Sequence, residues 1–271
     1  MCQPDANLLG LRRLPWALGA KMRALAVCPS CIDENVRNGA SGVEAVPAPV
    51  AGEIDDHGYI HVTCPKGHVG IVTFDSRRHQ VLVESAACAF LDGYTNEVVA
   101  VMTTALERAY EFYLRVSCRA KHITPTVFEA AWKAMASQSE RQFGAFQILY
   151  LLDHGGAFTL DPNIPEIRNR VVHKGRIARE QEALEFAEQV YTHIREIEGS
   201  IGAKFPEEAN QEAAEEIERQ KAAVPKGTPY VGLKKDTVVY DKTKKEVTGK
   251  ATKFIDFVAS IHQSRERGFP V

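Results

Sequence analysis

Between residues 98 and 116 the apolar side chains fall on one helical stripe. Val98, Met102, Ala105, Leu106, Ala109, Phe112 and Val116 recur mostly at intervals of three and four, the period that gathers side chains on one face of an α-helix. A helix of this kind cannot bury its stripe alone and needs other helices against it. The sequence supplies them. Pro125 opens a second helical stretch with Phe128, Trp132, Met135 and Phe143 or Phe146 turned inward; it ends in Ile148 to Leu152 and is stopped at Gly155-Gly156. Pro165 suits the first turn of a short helix that ends at Gly175. From about Arg179 to Ile201, Ala183, Phe186, Val190, Ile194 and Ile197 mark a further buried stripe. The expectation is a four-helix unit over residues 84–203.

Residues 22–83 have a different character. Tyr59 to Thr63, Val69 to Phe74 and Gln80 to Val83 read as strands, and residues 32–57, rich in Gly, Ala, Asp and Pro, read as a long loop. Beyond the helical unit, residues 204–271 predict an acidic helix over 206–222, a hairpin from Thr237–Tyr240 and Glu246–Thr248, and a last helix burying Phe254, Phe257, Val258 and Ile261. The lysines of this tail (Lys234, Lys235, Lys242, Lys244, Lys245, Lys250, Lys253) are a solvated face or an RNA or partner contact. The fold class is therefore mainly α, α+β overall: a small β-rich domain, a helical bundle and a mixed C-terminal extension.

The formal net charge of −2 over 271 residues gives no global positive field, so nucleic-acid binding must rest on local patches. No apolar run approaches the roughly 18 residues of a membrane span. Residues 1–21 lack the continuous apolar block of a secretory signal and read as an extension before a start at Met22. The expected location is cytoplasmic, with no membrane partner.

Two short knuckles carry the metal chemistry. Cys28-Pro-Ser-Cys31 presents two thiolates on a tight turn, and Cys64-Pro-Lys-Gly-His68 presents a thiolate and an imidazole. Together they complete a tetrahedral set for structural zinc, in a zinc-ribbon-like domain with each knuckle at a hairpin turn. Four protein ligands close the coordination sphere, so such a metal stabilises and does not catalyse. His57 and His61 are alternative ligands with poorer spacing. A redox pair at Cys28 and Cys31 is the other chemistry available, without the βαβ context it usually has. Cys88 and Cys118 read as small core residues.

The second constellation is Arg168-Asn169-Arg170-Val171-Val172-His173. Arg168 offers a fixed fork of donors for a phosphate, and His173 exchanges a proton near neutral pH. By themselves these residues also suit a helix C-terminus through its dipole. On an α-helix Asn169 and His173 share a stripe, whereas Arg168 and His173 lie roughly 140° apart. Arg170 and Lys174 are accessory phosphate contacts or solvated cations. Glu107 and Arg141 are candidate supports, although a glutamate such as Glu107 is more often just a helix-surface charge.

This pattern, on a short helix after a proline and followed by a long helix, resembles the signature of the HEPN superfamily. The upstream Leu106-Glu107-Arg108-Ala109-Tyr110-Glu111-Phe112-Tyr113 resembles the first long helix of such bundles. The resemblance covers residues 84–203 and implies a four- to five-helix bundle and a metal-independent endoribonuclease. It implies His173 as general acid/base, Arg168 as phosphate binder and Asn169 as an orienting residue. A homodimer with both motifs in one cleft, and a toxin–antitoxin or phage-defence setting with a partner protein, follow from the same resemblance. His61, Lys66, Arg77, Arg78 and His79 are expected to add a basic RNA contact surface. The alternative is a catalytically silent adaptor that binds RNA or a partner protein.

Overall fold

In the computed structural model, residues 23–55, 59–74, 77–233, 238–241, 246–250 and 253–266 are described. The proposed extension 1–21, His57 and Lys234, Lys235, Lys242, Lys244 and Lys245 lie outside them.

The N-terminal part is a small sheet with one helix on it. Strands β1 (Arg23–Ala26), β2 (Val50–Ile54), β3 (Ile60–Thr63) and β4 (Val69–Phe74) pair antiparallel in that order. The expected loop over 32–57 is broken, within its described part, by regular elements. Helix α1 (Pro29–Arg37) starts with a proline at its first position, where a missing N–H costs nothing. A 3₁₀ turn (Gly42–Ala45) and β2 follow. Gly52, which argues against a strand by propensity, is required inside β2. A β-carbon there would stand 2.2 Å from an Ile60 methyl and 2.9 Å from the His61 carbonyl oxygen.

The expected strand at Gln80–Val83 is also corrected. These residues open helix α2 (Arg78–Leu91), so the helical part begins earlier than position 84. Val81 and Val83 alternate like strand residues, yet Val83 is buried beside Ala86 and Ala87 on a helical stripe. The Gln80 side chain accepts the Arg77 backbone N–H at 3.1 Å and fixes the helix start.

Helix α3 (Thr95–Ala120) is the central rod, and the stripe read from the sequence is its buried face, with Phe112 only partly covered. The stretch after Pro125 is two helices, α4 (Pro125–Trp132) and α5 (Ser139–His154). Side chains of Arg141 and Gln142 donate to the carbonyls of Ala134 and Ala136, at 3.0 and 2.8 Å, which satisfies backbone groups released by the break. Gly155, at φ +73°, stops α5 as its left-handed cap. Next come α6 (Asn163–Arg168), a π turn (Asn169–His173) and α7 (Glu180–Lys204). The inward residues expected on α7 are all buried. Phe146 of α5 is fully buried, with its ring near those of Tyr110, Tyr113, Tyr150 and Phe158.

The C-terminal extension is integrated with both parts. Acidic helix α8 (Pro206–Ala223) lies against α3, where Arg119 bonds Glu212 and Glu215 at 2.7 and 2.6 Å. Strand β5 (Tyr230–Leu233), not foreseen, joins the N-terminal sheet parallel to β4. The hairpin is present as β6 (Val238–Asp241) and β7 (Glu246–Lys250). Helix α9 (Phe254–Glu266) buries Phe254, Phe257, Val258 and Ile261 as expected. Glu188 of α7 accepts the Phe254 and Ile255 N–H groups at 3.0 and 2.8 Å, capping α9 from outside. Among the described residues no helix is long and apolar enough to cross a membrane.

Candidate metal centre and candidate phosphate site

Cys28, Cys31, Cys64 and His68 come together, with their ligand atoms all within 4.8 Å of one another. Cys28 ends the segment after β1 and sits at the N-cap of α1, and Cys31 lies in the first turn of that helix. The first knuckle is thus a strand-to-helix turn, not the hairpin turn expected. The second is the β3–β4 turn, closed by the Cys64 N–H on the His68 carbonyl at 3.0 Å and by the Gly67 N–H on the Cys64 carbonyl at 2.8 Å. Gly67 needs its φ of +83° to make that turn. The three cysteines are buried and unpaired by disulfides.

The spacing fits a tetrahedral ion. Metal–sulfur bonds of about 2.3 Å and metal–nitrogen bonds of about 2.0 Å put neighbouring ligand atoms about 3.5–3.8 Å apart. Cys31 Sγ lies 3.8 Å from Cys64 Sγ and 3.4 Å from His68 Nδ1, and Cys28 Sγ lies 3.9 Å from the same nitrogen. Burial raises the Cys64 thiol pKa, but N–H groups of His68 and Lys66 aimed at its sulfur outweigh this and bring it down to about 7. Burial and its neighbouring thiols push Cys31 up to about 12. Glu34 completes the surroundings. Its Oε1 is 3.2 Å from His68 Nε2, and its Oε2 accepts from Lys66 at 2.9 Å. A carboxylate on one imidazole nitrogen orients the other toward the metal position. Glu34 was missed because it falls in the supposed loop. His61 is not part of the cluster; it pairs with Asp55 at 2.8 Å.

The Arg168 constellation sits where α6 widens into the π turn. The Arg168 side chain, 18% exposed, donates through Nη1 to Asn169 Oδ1 at 3.0 Å and through Nη2 to Ser139 Oγ at 3.1 Å. Ser139, at the start of α5, donates in turn to Glu107 of α3. The support role for Glu107 therefore has a contact behind it, through a serine the sequence reading did not name. Arg141 instead bonds the Ala134 carbonyl. His173 is exposed, and no described residue holds its ring.

The π turn changes the angular argument. The Lys174 N–H reaches the Asn169 carbonyl at 3.2 Å, an i→i+5 bond, so more residues fill the turn than in an α-helix. Residues five apart, as Arg168 and His173 are, then lie closer to one stripe than 140°. Arg170 pairs with Glu166 at 3.1 Å and Glu182 at 3.3 Å, so its charge is largely committed; Lys174 is exposed. The expected basic surface around residues 61–79 does not form as such. His79 is buried and bonds Glu198 at 2.9 Å, and Arg77 pairs with the same carboxylate.

No protein-family model, no curated protein and no solved structure matches the chain.

Proposed function

We propose that this chain is a HEPN-type, metal-independent endoribonuclease with a zinc-stabilised N-terminal sheet. The observation that carries the reading is the Arg168 guanidinium, held by Ser139 and Asn169 beside the π turn that bears an exposed His173. A guanidinium fixed on two acceptors keeps its remaining N–H groups for a phosphodiester. His173 takes the proton of a ribose 2′-hydroxyl; the 2′-oxygen bonds phosphorus while the phosphorus–O5′ bond breaks. Arg168 bears the charge that accumulates on the phosphoryl oxygens. An imidazolium returns a proton to the leaving O5′, giving a 2′,3′-cyclic phosphate and a 5′-hydroxyl. In a homodimer the second imidazole comes from the other copy. A toxin–antitoxin or phage-defence setting in the cytoplasm, with a partner protein holding the activity in check, agrees with such a reaction.

Zinc is the ion that a Cys₃His set of this spacing suits best, and its closed sphere gives it a structural part. One observation favours the second reading, a silent adaptor that binds RNA or a protein: no carboxylate or carbonyl among the described residues orients the His173 ring, as a dedicated base usually requires. Incubating the protein with total RNA decides between them. The enzyme cleaves in the presence of a chelator while circular dichroism shows the bundle still folded. His173→Ala lowers the rate about 10²–10⁴-fold. Intact RNA with folded wild-type protein, or unchanged cleavage by His173→Ala, sinks the catalytic reading.

A further inference from the structure

A cavity of about 850 Å³ opens between the start of α2, the middle of α3, α4 and α8, and its lining includes none of Glu107, Ser139, Arg168, Asn169 and His173. Its lining carries six cations against four carboxylates, and two aromatic rings, Phe112 and Trp132. The charges are not spread evenly. Deep in the cavity, Glu111 and Glu212 are buried and bridged by arginines: Arg108 and Arg115 hold Glu111 at 2.7 and 2.8 Å. At the mouth, Arg78 has a side chain 73% exposed, with Glu216 no nearer than 3.8 Å, and Lys133 is exposed. The Arg77 guanidinium lies 4.3 Å from the Phe112 ring centroid. Arg108 lies 5.9 Å from that of Trp132 and keeps a buried Nε–H with no acceptor among the described residues.

We propose that this cavity binds a nucleotide, with its phosphates at Arg78 and Lys133 and its base inside. Arginine and lysine at an open mouth meet phosphate without first being desolvated. Guanidinium–aromatic tiers accept a planar ring. The floor alternates guanidinium donors with carboxylate acceptors, the pattern that the edge of a nucleobase and the ribose hydroxyls require. The volume falls in the range of pockets that enclose small ligands, about 300–1,000 Å³. A simple polyanion uses only the mouth, and an apolar ligand makes no hydrogen bond with the polar groups of the floor.

Trp132 lines the cavity and Trp16 is the only other tryptophan in the chain, so binding is read by intrinsic fluorescence and by melting temperature. The probes are AMP, ATP, GTP, inorganic pyrophosphate and a short oligoribonucleotide, added to zinc-loaded full-length protein. At least one nucleotide should bind saturably, about tenfold or more tighter than pyrophosphate. The double charge reversal Arg78→Glu/Lys133→Glu, at two exposed positions, should weaken it about tenfold or more while leaving the unliganded melting temperature unchanged. Trp132→Phe should keep binding but lose the fluorescence change. A mononucleotide preferred over the oligomer marks a free nucleotide as the source; the reverse order marks a segment of RNA. The proposal is overturned by any of three results. No nucleotide binds at ~1 mM, pyrophosphate binds as well as the nucleotides, or the charge reversal binds like wild type. The measurements are repeated in His173→Ala, so their outcome is separate from that of the cleavage assay.

Discussion

Ser139 shows how much of a site rests on one hydroxyl. It accepts from Arg168 and donates to Glu107, so it connects the π-turn segment to the central helix through a single oxygen. Without it, the Arg168 fork keeps Asn169 as its near support, with Glu140 3.8 Å away. A hydrogen bond to a charged group contributes about 1.5–3 kcal/mol, and on the ribonuclease reading part of that holds Arg168 in the geometry a pentacoordinate phosphorus requires. On the ribonuclease reading, Ser139→Ala should lower kcat about tenfold, with KM and melting temperature little changed, and Ser139→Thr should restore most of it. Equal kcat in the alanine variant would remove Ser139 from the site. The arginine and histidine were legible because their chemistry shows in six consecutive letters. The serine was not, because it lies 29 residues away on another helix and only the fold brings it there.

At the level of elements, the legible ones were those whose period is long enough to count. The stripe on α3 and that on α7 repeat over several turns, and both are buried as read. Helix α1 is 9 residues long, with only Pro29 and Cys31 buried, so no stripe announces it. Strand β5 has 4 residues and takes its place by parallel pairing with β4, a long-range contact with no local mark. The core around the Cys₃His set is small, with Ala26, Ile60, Val62 and Val72 buried besides the cysteines and Val50, Ile54, Val81 and Val231 partly buried against it; between helix α1 and the β3–β4 turn, Glu34 adds its bonds to Lys66 and His68. A metal bound by this set contributes folding energy to these elements. Elemental analysis should find about one zinc per chain, and Cys31→Ser should lose it, melting the sheet below the temperature at which the bundle unfolds. Glu34→Gln keeps all four ligands but weakens the bond to His68, so zinc affinity should fall about 10–100-fold in a chelator competition. An unchanged affinity would mean that Glu34 serves Lys66 alone.

Across the whole molecule, the two parts are fastened by the C-terminal extension, whose acidic helix is structural and not merely solvated. Helix α8 meets α3 through Arg119 with Glu212 and Glu215, and its Gln220 carbonyl accepts the Tyr59 hydroxyl of the sheet region at 2.8 Å. Inside the bundle, Asp153 of α5 accepts from Tyr113 and Ser117 of α3 and from Lys121 at that helix's C-cap. Burial alone raises the Asp153 pKa, but these three donors outweigh it and hold the carboxyl below its usual range. The Arg119 and Arg115 guanidinium bonds lower Glu215 and Glu129, and Arg219 lowers Glu216 against its burial. Each of these groups binds a proton less readily folded than unfolded. Their contribution is therefore complete above the ordinary carboxylate range and is lost as pH falls through the depressed folded values. Stability of the bundle, followed by helical dichroism in denaturant, should be flat from neutral pH to about pH 5 and then drop steeply. Any metal held by the cysteines is also released as they protonate, so the bundle signal must be separated from that of the sheet with Asp153→Asn. That variant keeps acceptors for Tyr113 and Ser117 but gives up the charge facing Lys121. It should cost about 1.5–3 kcal/mol at pH 7, and the difference from wild type should shrink toward zero once the wild-type carboxyl is itself protonated. A difference that stays constant down to acid pH would show that Asp153 acts through shape and not through charge.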